Sequence, residues 1–246
     1  MGREILSRTP VAANRRVPYG ADASQFFDVF LPENPEQRAV AVMIHGGFWR
    51  SMRDLRPSSH LCAALAKNGI VTANIEYRRV GETGGGWPAT FDDIRSAFRA
   101  VRQQMPSAPP VVVGHSAGGH LALRLAAETH DIAGVAALAP VADLSLAMQQ
   151  DLGNGAVSEF LGGNAAACVE ACPAQRTSSV PRTLLYGSED DIVPISQGRA
   201  FLEARRADPG PVKLIEIPGA DHFDLIDPES AAFPMVLACV LEFIAR

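Results

Sequence analysis

Residues 110–125 read PVVVGHSAGGHLALRL, and this stretch decides the fold. Val111, Val112 and Val113 form a short β-branched apolar run, the composition of a strand buried on both faces of a parallel sheet. A turn follows at once. Gly114-His115-Ser116-Ala117-Gly118 puts small residues two before and two after a serine, as a sharp strand-to-helix elbow requires when the serine is held in a strained conformation. From Ala117 onward Ala, Leu and Arg are strong helix formers. Ser116 is therefore expected at a helix N-terminus, where free N–H groups and the helix dipole favour developing negative charge.

Outward from the elbow, short apolar runs alternate with longer amphipathic segments. Strands are expected at 26–31, 40–44, 70–75, 111–113, 135–138, 183–186 and 213–217. Helices are expected at 58–68, 90–105, 117–129, 196–206 and 233–245. This βαβα rhythm implies an α/β fold, a mostly parallel sheet with helices on both faces. Residues 143–180 break it, having no clear apolar strand and several glycines, and read as a small lid-like insertion over the C-terminal end of the sheet. In open α/β sheets that is where ligands bind.

With 246 residues and no Gly/Ser/Pro-rich linker, residues 1–246 are expected to form one domain. The formal charge of −5 and the scattered arginines argue against a nucleic-acid partner. No segment approaches the roughly 18 apolar residues of a membrane span, and no apolar run behind a basic start reads as a signal peptide. A cytoplasmic location is expected. Cys62, Cys168, Cys172 and Cys239 are too few and too irregular for a disulfide framework. Cys168 and Cys172 lie one helical turn apart but lack companion ligands, so no metal is expected. Oligomeric state is left open, a homodimer included.

A serine hydroxyl is a poor nucleophile at neutral pH and needs a histidine base with a carboxylate to orient it. The strand at 183–186 runs into Gly187-Ser188-Glu189-Asp190-Asp191-Ile192-Val193-Pro194, three adjacent acids beyond a strand's end. His222 follows the next strand. The oxyanion needs donors too, and His45-Gly46-Gly47-Phe48-Trp49 follows the strand at 40–44, where glycines admit close backbone approach. The hole is assigned to the N–H groups of Gly47 and Ala117, with Phe48 as a third donor. Trp49 is expected to line the substrate pocket beside Phe48. His45 and His115 are read as braces for the two turns, His120 as a packing residue, and Gly84-Gly85-Gly86 as a loop, since no Lys-Ser/Thr follows.

These motifs resemble those of the α/β-hydrolase superfamily from about Asp28 onward. GHSAGG resembles carboxylesterases of the hormone-sensitive-lipase group, as does Asn74-Ile75-Glu76-Tyr77-Arg78 at a strand end, and HGGFW is similar to the HGG-x-W signature of kynurenine formamidases. The resemblance implies the triad order Ser116, Asp190, His222, with Asp190 picked from the three acids by the G-x-x-D-x-x-V-P pattern. Phe48-Trp49 replaces the third glycine of the lipase motif, and Asp221 stands where a small residue often precedes the histidine. The implied activity is acyl transfer to water from a small-molecule ester, or alternatively a formamide, without a cofactor. The rival expectation is a ligand-binding module that reuses the fold without catalysis.

Overall fold

The computed structural model describes residues 2–34, 39–106 and 108–245. Eight strands form one sheet: β1 (Arg15–Pro18), β2 (Phe26–Phe30), β3 (Val40–Ile44), β4 (Val71–Ile75), β5 (Val111–His115), β6 (Gly134–Leu138), β7 (Arg182–Gly187) and β8 (Val212–Ile217). Their spatial order is β1-β2-β4-β3-β5-β6-β7-β8. β1 and β2 pair antiparallel, as do β2 and β4, and every other pairing is parallel. All residues of β3, β5, β6 and β7 are buried, so their continuous apolar runs follow from a sheet covered on two faces. β8, at the edge, exposes part of its length.

The helices are α1 (Ser59–Lys67), α2 (Ala89–Gln104), α3 (Ala117–Leu125), α4 (Leu144–Gln149), α5 (Ala156–Phe160), α6 (Ala167–Ala171), α7 (Ser196–Arg205) and α8 (Phe233–Ile244). From β3 the chain crosses to β4 on one side and then returns past β3 to β5. Right-handed crossovers therefore put α1 on one face, and α2, α3 and α7 on the other. α8 packs back on β5 and β6, where a Cβ at Gly134 would lie 2.2 Å from the Phe243 ring. Among the described residues no helix is long and apolar enough to cross a membrane.

Each expected strand and long helix is present, displaced by a few residues at most at its ends, except that α3 ends at Leu125. β1 was not expected, because Arg-Arg-Val-Pro is polar and carries proline. Both are properties of an edge strand, and its mostly exposed residues pair only with β2. A 3-10 turn at Gly2–Leu6 also lay outside the expectation, and it buries Ile5 in the core.

Candidate active site

The crossover reversal at β3 opens a crevice beyond the C-terminal ends of β3 and β5. These strands are direct neighbours with Ile44 opposite Gly114, so the loops that leave them, His45–Trp49 and Ser116, must meet. Ser116 holds φ 55° and ψ −118° between β5 and α3, a conformation that a non-glycine residue occupies only when its surroundings enforce it. The enforcement is close packing. A Cβ at Gly118 would lie 2.1 Å from the Ile44 carbonyl oxygen, and one at Gly114 would lie 2.4 Å from the Gly118 carbonyl oxygen. Gly46 is equally constrained, since its Cβ would come within 2.9 Å of the Ser116 Cβ.

β7 and β8 deliver the other two groups. The His222 Nδ1–H donates to Asp190 Oδ2 at 2.7 Å, with both side chains buried. The other Asp190 oxygen accepts the N–H groups of Ile192 and Val193 at 2.9 and 2.8 Å, which fixes the carboxylate. Of the neighbouring acids, Asp191 turns outward to an exposed pair with Arg3. Asp221, the unexpected acid before the histidine, accepts from the N–H groups of Phe223 and Asp224 and so shapes the turn that carries His222. Ser116 and His222 line the same pocket.

The loop after β3 is built on a buried polar cluster. His45 Nε2 lies 2.8 Å from Glu76 Oε1, and His45 Nδ1 lies 2.8 Å from the Gly46 carbonyl oxygen. The Tyr77 hydroxyl donates to the His45 carbonyl at 2.9 Å, and its ring stacks on the imidazole at 4.4 Å. Burial raises the Glu76 carboxyl, but the charge and hydrogen bond of His45, the Arg79 charge and the Tyr77 N–H together carry it below the usual range. His115 donates from Nε2 to the His222 carbonyl at 3.0 Å. Burial, reinforced by the nearby His222, pushes His115 down to about 3, so it serves as a neutral brace. The N–H groups of Gly47, Phe48 and Ala117 donate to no acceptor among the described residues.

The pocket has a volume of about 240 Å³. It is lined by the loop from His45 to Ser58, including Phe48, Arg50, Met52 and Arg53, and by Ile192, Phe223 and Ile226. Leu6, from the N-terminal turn, completes it. Nothing local in the sequence marks Leu6 or Met52, because both reach the site only through the tertiary fold.

Two expectations are corrected here. Trp49 does not line the pocket: it is fully buried, stacked on Phe160 at 4.5 Å and edge-on to His120 at 5.2 Å. Gly47, Phe48 and Trp49 all have positive φ, of 119°, 51° and 58°, and the resulting tight turn sends Phe48 to the pocket and Trp49 to the core. Residues 143–180 do not cover the pocket either, as none of them lines it. They form α4, α5 and α6 and support the 47–50 loop from behind. Glu159 pairs with Arg50 at 2.7 Å, the Asn154 carbonyl accepts from Arg50 at 2.9 Å, and Gly153 abuts the Phe48 ring. Among the described residues no group of three or more His, Cys, Asp or Glu is placed to hold a metal ion.

The chain is 27% identical to Esterase LipC of Mycobacterium tuberculosis over 87% of its length and 60% of that protein's. It is 24% identical to kynurenine formamidase of Salmo salar over 86% of its length and 75% of that protein's. It thus spans only about 60% of the mycobacterial esterase. The crystal structure of esterase B from Lactobacillus rhamnosis superposes with a TM-score of 0.81 at 20% identity, covering 99% of this chain and 90% of that one. The model of the BD-FAE family matches residues 27–204, from β2 through the pocket loops and the Asp190 turn to most of α7. The chain belongs to the BD-FAE family and has the α/β-hydrolase fold.

Proposed function

We propose that the protein hydrolyses carboxylic esters of small acyl or aryl substrates through an acyl-enzyme. The observation that carries this reading is the buried 2.7 Å contact between His222 and Asp190, with His222 lining the same pocket as a strained serine at the head of α3. In this reading Asp190 holds His222 with its proton on Nδ1, leaving Nε2 free to take the Ser116 proton as the oxygen attacks the substrate carbonyl. The developing oxyanion is received by the N–H groups of Gly47, Phe48 and Ala117, each such donor lowering the barrier by about 3 kcal/mol. His222 then returns the proton to the leaving group, and water releases the acid by the same steps in reverse. Every group in this sequence belongs to the chain. The esterase relatives support the choice of esters, and the intact Asp190–His222 pair weighs against a module that has lost catalysis.

The test is Ser116→Ala, assayed with 4-nitrophenyl acetate and by fluorophosphonate labelling. Turnover and labelling are expected to vanish together, and continued labelling of that variant would refute the assignment of the nucleophile. HGGFW and the formamidase relative favour a second reading, hydrolysis of an aryl formamide. N-formylkynurenine assayed beside short acyl esters separates the two. Among the described residues the four cysteines are free and buried, which supports a reducing compartment and thus the cytoplasm.

A further inference from the structure

The His45 ring sits between two acceptors. The Gly46 oxygen is a carbonyl and has no proton to give, so Nδ1 at 2.8 Å must carry one. The partner of Nε2 is Glu76 Oε1 at 2.8 Å, and every other group facing that carboxylate is a donor. Oε1 also receives the Tyr77 N–H at 3.0 Å and lies 3.4 Å from Arg79 Nη1, while Oε2 receives the Leu55 N–H at 3.1 Å. Three donors on two oxygens describe an ionised carboxylate, which can only accept. Nε2 must then carry a proton too.

The other charged and titratable groups around the ring are balanced. Arg79 is also paired with Glu82 at 2.8 Å, Asp54 is paired with Arg56 at 2.8 Å, and His115 is neutral. The stacked Tyr77 keeps its phenolic proton, since burial and the Glu76 charge raise it well above its usual range. A cation on His45 therefore neutralises Glu76 and leaves the cluster without net charge.

We propose that His45 is an imidazolium whose Nδ1–H, held on the Gly46 carbonyl, polarises the Gly46–Gly47 peptide and so strengthens the Gly47 N–H as an oxyanion donor. The effect on rate rests on the acyl-transfer reading above, whereas the charge state does not. Gly46 and Gly47 share one peptide unit, and a donor on its carbonyl withdraws electron density from its N–H, the cooperative strengthening seen in chains of hydrogen bonds. The Gly46 backbone lies against Ser116, so the polarised peptide is beside the reacting carbon. His45 touches no reacting atom in this scheme and is a positioning residue with a fixed charge. Glu76 is the anion that keeps it charged.

The test uses the full-length protein with 15N-labelled histidine. It has six histidines, and the His45 ring signals are assigned by their loss in His45→Gln. Both His45 ring nitrogens are expected to give protonated, imidazolium signals throughout the neutral pH range. An unprotonated Nε2 anywhere in that range overturns the proposal. In Glu76→Gln, His45 is expected to become neutral, with kcat for 4-nitrophenyl acetate lower by roughly three- to tenfold and KM within twofold. A neutral His45 with unchanged kcat overturns the polarising role. Should Glu76→Gln fail to fold, His45→Gln is the replacement, since its uncharged amide still donates to Gly46, and the same loss of kcat is expected. If the wild-type protein hydrolyses no ester, the acyl-transfer reading fails while the nitrogen signals still decide the charge state.

Discussion

At the scale of single residues, geometry separates neighbours that sequence makes look alike. Glu189, Asp190 and Asp191 are adjacent acids, yet only Asp190 turns inward, and its two oxygens divide the work between the 190–193 turn and His222. Asp190→Asn is a sharp probe because the amide oxygen can keep both turn hydrogen bonds while the amide nitrogen faces Nδ1. That arrangement favours the tautomer with its proton on Nε2, which cannot accept from Ser116. The expected result is a fall in kcat of about 10⁴-fold with little change in the thermal midpoint. A variant that keeps more than about a tenth of its activity would remove Asp190 from the proposed mechanism. Trp49 and Phe48 were equally legible as an aromatic pair, but which of them faces the substrate depends on positive φ at two non-glycine residues, and composition does not carry that. Trp49→Ala empties a fully buried site against Phe160 and His120. A loss of about 3–5 kcal/mol is expected in urea unfolding, against a smaller effect for Phe48→Ala at the half-buried pocket wall.

At the scale of elements, the parts legible from sequence are those that short-range physics determines. The valine run of β5, the apolar runs of β3 and β7 and the glycines around Ser116 each announce their conformation locally. The choice of Asp190 as the acid for His222 followed from the G-x-x-D-x-x-V-P pattern of the family that the sequence resembles. The N-terminal wall of the pocket did not, because it depends on contacts that span the sequence. Arg8 makes a two-pronged pair with Asp227 at 2.9 and 2.8 Å, and the Val11 N–H donates to the Ser59 hydroxyl at 3.0 Å. Together with buried Ile5, these contacts hold the Gly2–Leu6 turn over the pocket, with Leu6 as its lining residue. Leu6→Ala is expected to lengthen the acyl chain accepted. Each added methylene that reaches the vacated space adds about 0.8 kcal/mol of burial, or about fourfold in kcat/KM per methylene as acetyl is extended to butyryl and hexanoyl esters. An unchanged chain-length profile would mean that the acyl group lies against a different wall. The 143–180 segment shows the opposite failure of legibility: its existence was plain from the broken rhythm, but its place behind the 47–50 loop was set by Arg50–Glu159 and Trp49–Phe160, contacts between distant residues.

At the scale of the whole molecule, burying uncharged histidines makes stability depend on pH. Burial pushes both His115 and His120 down to about 3. His120 donates from Nε2 to the Ala171 carbonyl at 3.0 Å, and among the described residues its buried Nδ1 has no hydrogen-bond partner, so a second proton there would be unsatisfied. In the unfolded chain both rings take up protons below about pH 6.5. Between there and about pH 3 the unfolded state binds more protons than the native state, so stability falls as pH falls, whereas above pH 6.5 these two groups contribute no slope. Each contributes at most about 1.4 kcal/mol per pH unit. The carboxylates of Asp54, Glu76 and Asp227, which their partners hold below the usual range despite burial, act in the same direction from about pH 4.5 downward. The window from pH 6 to 5 therefore isolates the histidines. His120→Gln replaces a titrating ring by a neutral amide that can still donate to Ala171. Urea unfolding measured at both ends of that window should give a pH slope smaller by up to one proton in the variant. Parallel slopes for the two proteins would show that His120 already takes up its proton in the folded state.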